Sequence, residues 1–467
     1  MNFNFFINDE INKSILEEMD ENSKIWVVGG TIRDFLLKKD WLDTDYVLTG
    51  VKAFDFAKKM AEKLNGYFVP LDEHYDIARI VLEDKKTTLD FAAALNNDIL
   101  KDLERRDFTI NAMAFSLNDN KFIDLFNGVD DLNNKKITAI SEKNIIDDPL
   151  RILRAYRCAA QTGFSIEEDT LLLIKKHQSL IHNVAIERVK AELIKLFEGA
   201  FSAENLFLMK ETAFLFEIFP EMSPQLKVPP NLHHHLPLIE HSIEVVKQLE
   251  IMVKDSPDWV KEHLNEEIVY GSTRLSLLKI AALLHDLGKP DTWTIDEEGR
   301  HRFIKHEEIG AGLALPLLRR MTFSKVAIKV IEKLIKFHLY PSQILKEETI
   351  TEKSILRFYR RIEKEVPELI IIAMADRLSA RGAEITDDIV NKNISGLQEL
   401  LEKYHNISEN MITIPKLISG DDVMKLLNIN KGPKVGIVLK ALNEAQISGD
   451  INNYDQAIEF VKNIKFE

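Results

Sequence analysis

The sequence predicts an α+β fold in which a mixed head precedes a long all-helical body. Three observations carry this. Alternating strand-like and helix-like segments are confined to the part before Asp148, strand signals nearly vanish after it, and Pro/Gly punctuation then divides the chain at Pro220, Pro229-Pro230, Pro237, Pro341, Gly382 and Gly432-Pro433. At 467 residues a single core is improbable, and several packed units are expected.

Taken in order, Val27-Val28 ends an apolar strand that runs into a Gly29-Gly30 turn and then Thr31-Ile32-Arg33-Asp34. Asp43-Thr44-Asp45 follows; in a strand, positions i and i+2 share a face, so both carboxylates can converge on the same hard cations. Two residues without Cβ let backbone N–H groups approach a phosphate chain closely. Together these parts suit a metal-dependent site for a nucleoside triphosphate. Phe54–Lys63 reads as a helix, and Gly66–Pro70, Ile77–Leu82 and Thr87–Phe91 read as strands. Asp107–Ser116 has helical composition, and Phe122–Leu125 reads as a strand before the Asn127-Gly128 turn. No internal repeat or low-complexity linker interrupts the chain.

Composition narrows the classes. Apolar residues make up 45% and charged residues 29%, the balance of a water-soluble globular protein. A lone cysteine, Cys158, excludes an intramolecular disulfide and fits a reducing, cytoplasmic setting. The N-terminal segment lacks the basic and long apolar regions of a signal peptide, and no apolar run approaches a membrane span, so no membrane partner is expected. The net charge of −14 argues against non-specific nucleic-acid binding but leaves room for local basic faces. Of these, Arg319-Arg320 and Lys353/Arg357/Arg360/Arg361 read as solvated helix faces balanced by neighbouring acids.

Two further blocks bear on the head. Asp102-Leu103-Glu104-Arg105-Arg106-Asp107 sets paired arginines among acids, and Asp147-Asp148-Pro149-Leu150-Arg151-Ile152-Leu153-Arg154-Ala155-Tyr156-Arg157 opens the helical part. An ordinary helix start explains the second block, with Asp148 as N-cap, Pro149 at the first position and Arg151 as an i,i+3 partner. The same residues also suit base recognition, since a carboxylate accepts from an exocyclic amine while a guanidinium donates to ring acceptors, as cytosine and adenine both require.

The ordered blocks G-G-x-x-R-D with D-x-D, R-R-D-F-T-I-N-A, Asp124…Gly128…Asp131, D-D-P-L-R-I-L-R-A-Y-R and Glu187-Arg188-Val189 resemble the class II tRNA nucleotidyltransferases of the DNA polymerase β superfamily. That resemblance covers residues 23–200. It continues into Ile418-Ser419-Gly420 and Gly432-Pro433-Lys434-Val435-Gly436. It implies template-independent addition of CCA, or only CC, to tRNA from CTP and ATP. Asp43 and Asp45 would hold two Mg²⁺ ions, with Asp90 as third catalytic carboxylate where many relatives carry Glu in E-V-x-x-x-R. Gly29, Gly30 and Arg33 would cradle the phosphates; Asp102, Arg105 and Arg106 would contact ribose and nucleotide. Asp148 and Arg151 would read the base, with Arg154 and Arg157 on phosphate or behind that pair. In full CCA-adding enzymes a flexible loop usually precedes the R-R-D block. Here only Phe91–Lys101 separates Asp90 from Asp102, which leaves CCA- and CC-addition both open.

A second constellation lies downstream: His241, His285-Asp286 before Leu287-Gly288-Lys289, then His306, His338 and Asp376. Imidazole and carboxylate donors suit a divalent transition metal or Mg²⁺. The pattern resembles the HD phosphohydrolases, with His241, His285, Asp286 and Asp376 as metal ligands and His306 and His338 for a second metal or the substrate phosphate. The ion implied is Mg²⁺, Mn²⁺ or Ni²⁺, and the activity phosphodiesterase or phosphatase action on 2′,3′-cyclic or 2′-phosphate ends. His233-His234-His235, in a Pro-flanked loop, reads as structural or as the lead-in to the next helix.

The organisation implied is a nucleotidyltransferase head over 1–140, a nucleotide- and RNA-binding neck over 141–200, a helical HD body over 201–385 and a tRNA-binding helical tail over 386–467. Other readings are a bacterial poly(A) polymerase and an HD phosphohydrolase whose head only binds RNA. The acidic total disfavours the former; a further reading, a tRNA-binding or RNA-surveillance protein whose head has lost catalysis, is disfavoured by retention of both D-x-D carboxylates and the complete R-R-D block.

Overall fold

A computed structural model describes residues 2–346, 350–407 and 414–464. The chain divides into two compact units, one of residues 1–201 with 208–217, the other of 202–207 with 218–467.

The first unit is built on a seven-stranded sheet. Its strands are β1 (Lys24–Val28), β2 (Asp43–Thr49), β3 (Tyr67–Asp72), β4 (Ile77–Val81), β5 (Thr88–Ala93), β6 (Met113–Ser116) and β7 (Lys121–Asp124), in the spatial order β3-β4-β5-β2-β1-β6-β7. Only β2 and β5 run parallel. The crossover between them contains the helix Ala53–Lys63, whose Phe56, Ala57, Met60 and Ala61 are buried on the sheet core with Ile25, Leu48, Ile80 and Phe91. Alternation along the strands sends those side chains to one face and leaves the other for the site.

One sequence expectation fails here. Asp107–Ser116 is not helical: Thr109–Asn111 makes a single 3₁₀ turn and Met113–Ser116 becomes β6, paired with β1 and β7. Local composition favours a helix, but every residue of β6 is buried between two neighbouring strands, so tertiary pairing overrides propensity.

Beyond the head the chain is helical apart from short paired segments, such as Glu267–Val269 with Ser272–Thr273 and Trp293–Ile295 with His301–Phe303. The helix Leu150–Thr162 packs on Ile186–Glu198 in the first unit. In the second, Leu238–Asp255, Arg274–Leu284, Lys325–Phe337 and Val366–Ser379 pack together. A smaller core around Val423, Val438, Leu442 and Val461 holds the last three helices. Within the basic clusters, Arg320 pairs with Glu221, Lys353 with Asp450 and Arg361 with Glu444. Among the described residues no helix is long and apolar enough to cross a membrane.

Candidate functional sites

The head site grows from strand register. Asp43 lies opposite Thr88, and Asp45 opposite Asp90, across the parallel β2–β5 pair. The Asp45 amide donates to Thr31 Oγ1 at 3.0 Å, and Thr88 Oγ1 donates to Asp43 Oδ1 at 2.5 Å. Burial pushes the Asp45 carboxyl up to about 6; Asp90 and Asp43 push the same way, against Arg106 and Arg79. Three crowded carboxylates of this kind fit a hard divalent cation, which relieves their mutual repulsion.

Gly29 closes this site by close approach. Its φ is +68°, and a Cβ there would lie 2.8 Å from an Arg106 nitrogen and 3.2 Å from an Asp45 oxygen. Its own amide donates to Met113 O at 3.4 Å. Arg33 is fixed beside it by the Asp34 carboxylate at 2.8 and 2.9 Å and by Asn111 Oδ1 at 2.9 Å.

The arginines of the R-R-D block are anchored by one fully buried acid. Asp102 Oδ1 accepts from Arg105 at 2.7 and 2.9 Å, and Oδ2 from Arg106 at 3.1 and 3.2 Å. Asp107 accepts from Arg154 Nε at 2.8 Å, Asn111 Nδ2 at 3.0 Å and the Phe108 amide at 2.8 Å. Burial would raise its carboxyl, but Arg154 and these donors hold it well below the usual carboxylate range. Arg154 and Arg157 also share Glu192, at 3.5 and 2.6 Å.

Asp148 is not an N-cap. The first residue before the helix Leu150–Thr162 is Pro149, already helical, and the Asp148 carboxylate instead pairs with Arg188 at 3.1 and 3.2 Å. Nor does Arg151 bind the Asp148 side chain; its Nη1 donates to Asn144 O at 3.0 Å, and Asn144 in turn donates to the Glu104 and Arg106 carbonyls at 2.8 Å. All these groups line one cavity of about 810 Å³: Gly29, Gly30, Arg33, Asp43, Asp45, Asp90, Asp102, Arg105, Arg106, Asp148, Arg151, Arg154 and Arg157. Sequence reading missed Arg79 as a member of the wall, since it stands on β4 outside every motif. The Glu187-Arg188-Val189 block gives Arg188 no role by sequence alone; the structure pairs it with Asp148.

In the second unit, side chains from five helices and the turns that follow them meet at one centre. His241 Nε2 lies 3.2 Å from Asp376 Oδ1 and 3.5 Å from Asp286 Oδ2. His285 Nε2 lies 3.1 Å from Asp286 Oδ2, and His306 Nε2 lies 3.2 Å from Asp286 Oδ1 and 3.4 Å from His338 Nε2. His285, His306 and His338 each place Nδ1 at 2.8 Å from the carbonyl three residues earlier, a bond that fixes the tautomer and leaves Nε2 to face the centre. His241 Nε2, His285 Nε2 and Asp376 Oδ1 are buried without a hydrogen-bond partner. Two three-donor groups, His241/His285/Asp376 and His285/Asp286/His338, are compact enough to hold an ion. Orphaned buried donors of this type fit a divalent metal.

His234 of the Pro-flanked loop lies beside this centre. It is half-buried, its ring centroid lies 4.3 Å from that of His241, and its Nε2 is 3.2 Å from Lys289 Nζ. Burial and Lys289 drop its pKa to about 2. With Lys289, Arg302, His306, His338 and Asp376 it lines a cavity of about 340 Å³. No periodicity signals this, because the loop is placed by tertiary contacts; Gly382 and Glu384 amides donate to its His233 and Leu232 carbonyls.

Comparison with known proteins matches domains in both units. Residues 25–138 match the Poly A polymerase head domain, 163–226 the probable RNA and SrmB-binding site of polymerase A, and 238–381 the HD domain. The head and HD domains imply dependence on divalent metal. A CC-adding tRNA nucleotidyltransferase of Thermus thermophilus is 32% identical over 93% of this chain and 92% of its own length. An A-adding tRNA nucleotidyltransferase of Deinococcus radiodurans is 29% identical over 93% and 94%. The CCA-adding enzyme of Thermotoga maritima complexed with tRNA shares the fold, with a TM-score of 0.55, 24% identity and coverage of 97% and 98%. Sequence blocks, site geometry and full-length similarity converge, and the chain belongs to the tRNA nucleotidyltransferase family.

Proposed function

We propose that this enzyme adds two cytidylates to tRNA and stops at CC. One observation carries the specificity: β5 passes to the helix Ile99–Glu104 through Ala94–Asp98 alone. That connector is pinned, since the Ala94 amide donates to Leu48 O at 2.8 Å and Asn97 Oδ1 accepts from the Gly50 amide at 2.6 Å. It leaves no mobile loop to reshape the base pocket for ATP after two additions. Relatives named as CC-adding in Thermus thermophilus and Synechocystis support the same reading.

In this reading Asp43 and Asp45, with Asp90 as third carboxylate, would hold Mg²⁺, which when bound would neutralise the triphosphate and lower the pKa of the tRNA 3′-hydroxyl. Gly29, Gly30 and Arg33 shape the phosphate wall. Asp102 acts from behind, holding Arg105 and Arg106 toward ribose and phosphate. Asp148 accepts from the cytosine amine while Arg151 donates to the ring acceptors, and Asp107 and Glu192 keep Arg154 and Arg157 beneath that pair. The 3′-hydroxyl gives up its proton to solvent, its oxygen bonds the α-phosphorus, and the bond from that phosphorus to the α–β bridging oxygen breaks as pyrophosphate leaves. The helical body 201–385 carries a metal-dependent phosphohydrolase in which His241, His285, Asp286 and Asp376 would hold the ion, with His306 and His338 beside it.

Primer extension tests the main claim. On tRNA ending before CCA, CTP with ATP should yield growth by two residues, and on CC-ended tRNA ATP should give no product. Completion to CCA would overturn CC specificity, and A-tailing of unrelated RNA would favour the poly(A) polymerase reading.

A further inference from the structure

Asp90 is the third carboxylate of the head, and each of its oxygens already accepts a hydrogen bond. Arg79 Nε donates to Oδ1 at 2.7 Å and Arg79 Nη2 to Oδ2 at 2.8 Å, a two-pronged fork. The pairing is set by the sheet: Arg79 on β4 lies opposite Asp90 on β5, and Asp90 lies opposite Asp45 on β2. Three adjacent strands therefore present a guanidinium and two carboxylates in one row along the cavity wall.

A cation that takes Asp90 must use an oxygen already engaged by Arg79 and must approach a fixed positive charge. Before nucleotide binds, Asp43, Asp45 and Asp90 face Arg79 and Arg106, so the local formal charge is close to balance and two divalent cations would be strongly mismatched. A bound triphosphate supplies the missing negative charge.

We propose that Arg79 is a positioning residue that competes with a divalent cation for Asp90, so the nucleotide-free head offers Asp43 and Asp45 alone and admits a second ion only with the triphosphate. This rests on the nucleotidyltransferase reading of the same site.

The test is Mn²⁺ uptake by the full-length protein without nucleotide, followed by the paramagnetic resonance of free Mn²⁺. Wild type, Arg79→Gln, Asp90→Asn and the double variant are compared; the unchanged HD centre contributes equally to all four. Arg79→Gln should tighten Mn²⁺ binding at the head about tenfold, as expected for removal of a charge-assisted competitor. The gain should vanish in the Asp90→Asn background. Arg79→Lys, which keeps the charge but not the fork, should fall between and carries the test if the Gln variant unfolds. In CTP addition the half-saturating Mg²⁺ of Arg79→Gln should fall while the KM for CTP holds. Unchanged or weaker Mn²⁺ uptake in Arg79→Gln, or an equal gain without Asp90, overturns the proposal. Failure of the wild type to incorporate CTP would instead overturn the function beneath it.

Discussion

Asp107 shows how one buried acid organises several functional groups. It ties Arg154, Asn111 and the Phe108 amide together, while Asn111 also holds Arg33. Removing its charge leaves the Arg154 guanidinium with only the longer Glu192 contact at 3.5 Å, so Asp107→Asn should cost about 2 kcal/mol in denaturant unfolding, a partner-loss penalty reduced because Arg154 is partly exposed. The folded carboxyl sits below its unfolded value, so this stabilisation is present above about pH 4 and is lost as pH falls through the folded value. Wild type and variant should therefore converge in acid; a gap constant down to pH 2 would contradict the assignment. Arg188 acts on a different quantity. With Asp148 paired to it, Arg188→Ala should free that carboxylate to move, raising the KM for CTP and the rate of UTP misincorporation, each by about tenfold, a factor corresponding to about 1.4 kcal/mol. Measured CTP-to-UTP ratios decide this.

At the scale of elements, close packing places ligands that sequence spacing cannot. Gly288 lies where a Cβ would meet His306 O at 2.2 Å and Gly310 N at 2.5 Å. The segment starting at Lys289 and the helix His306–Arg320 can thus approach only through glycine, and that contact seats His306 beside Asp286. Gly288→Ala should push the two elements apart and reduce bound metal at the HD centre by tenfold or more, read by elemental analysis after gel filtration, while CTP incorporation persists. Unaltered metal content would show the contact to be dispensable. The strand β6 makes the complementary point. Its residues compose well as a helix, yet pairing with β1 and β7 decides their state.

For the whole molecule, two metal-suited centres lie in separate compact units, the head site within residues 1–201 and the HD site within 218–467. Their chemistries should separate by mutation. Asp43→Ala should lower CTP incorporation at least a thousandfold and leave hydrolysis of a 2′,3′-cyclic phosphate intact, and Asp286→Ala should do the reverse. Loss of both activities in either variant would contradict independent centres. The sequence by itself determined the α+β class, the order of the blocks and which His and Asp residues recur, because strand alternation, helix periodicity and motif spacing are local in the chain. Tertiary structure decided what those residues touch. It turned Asp148 from a helix cap into the partner of Arg188, buried Asp102 behind two arginines, drew His234 from its loop to the HD centre and clamped Asp90 with Arg79. Each depends on contacts between residues distant in sequence, where burial and charge pairing outweigh anything a local pattern encodes.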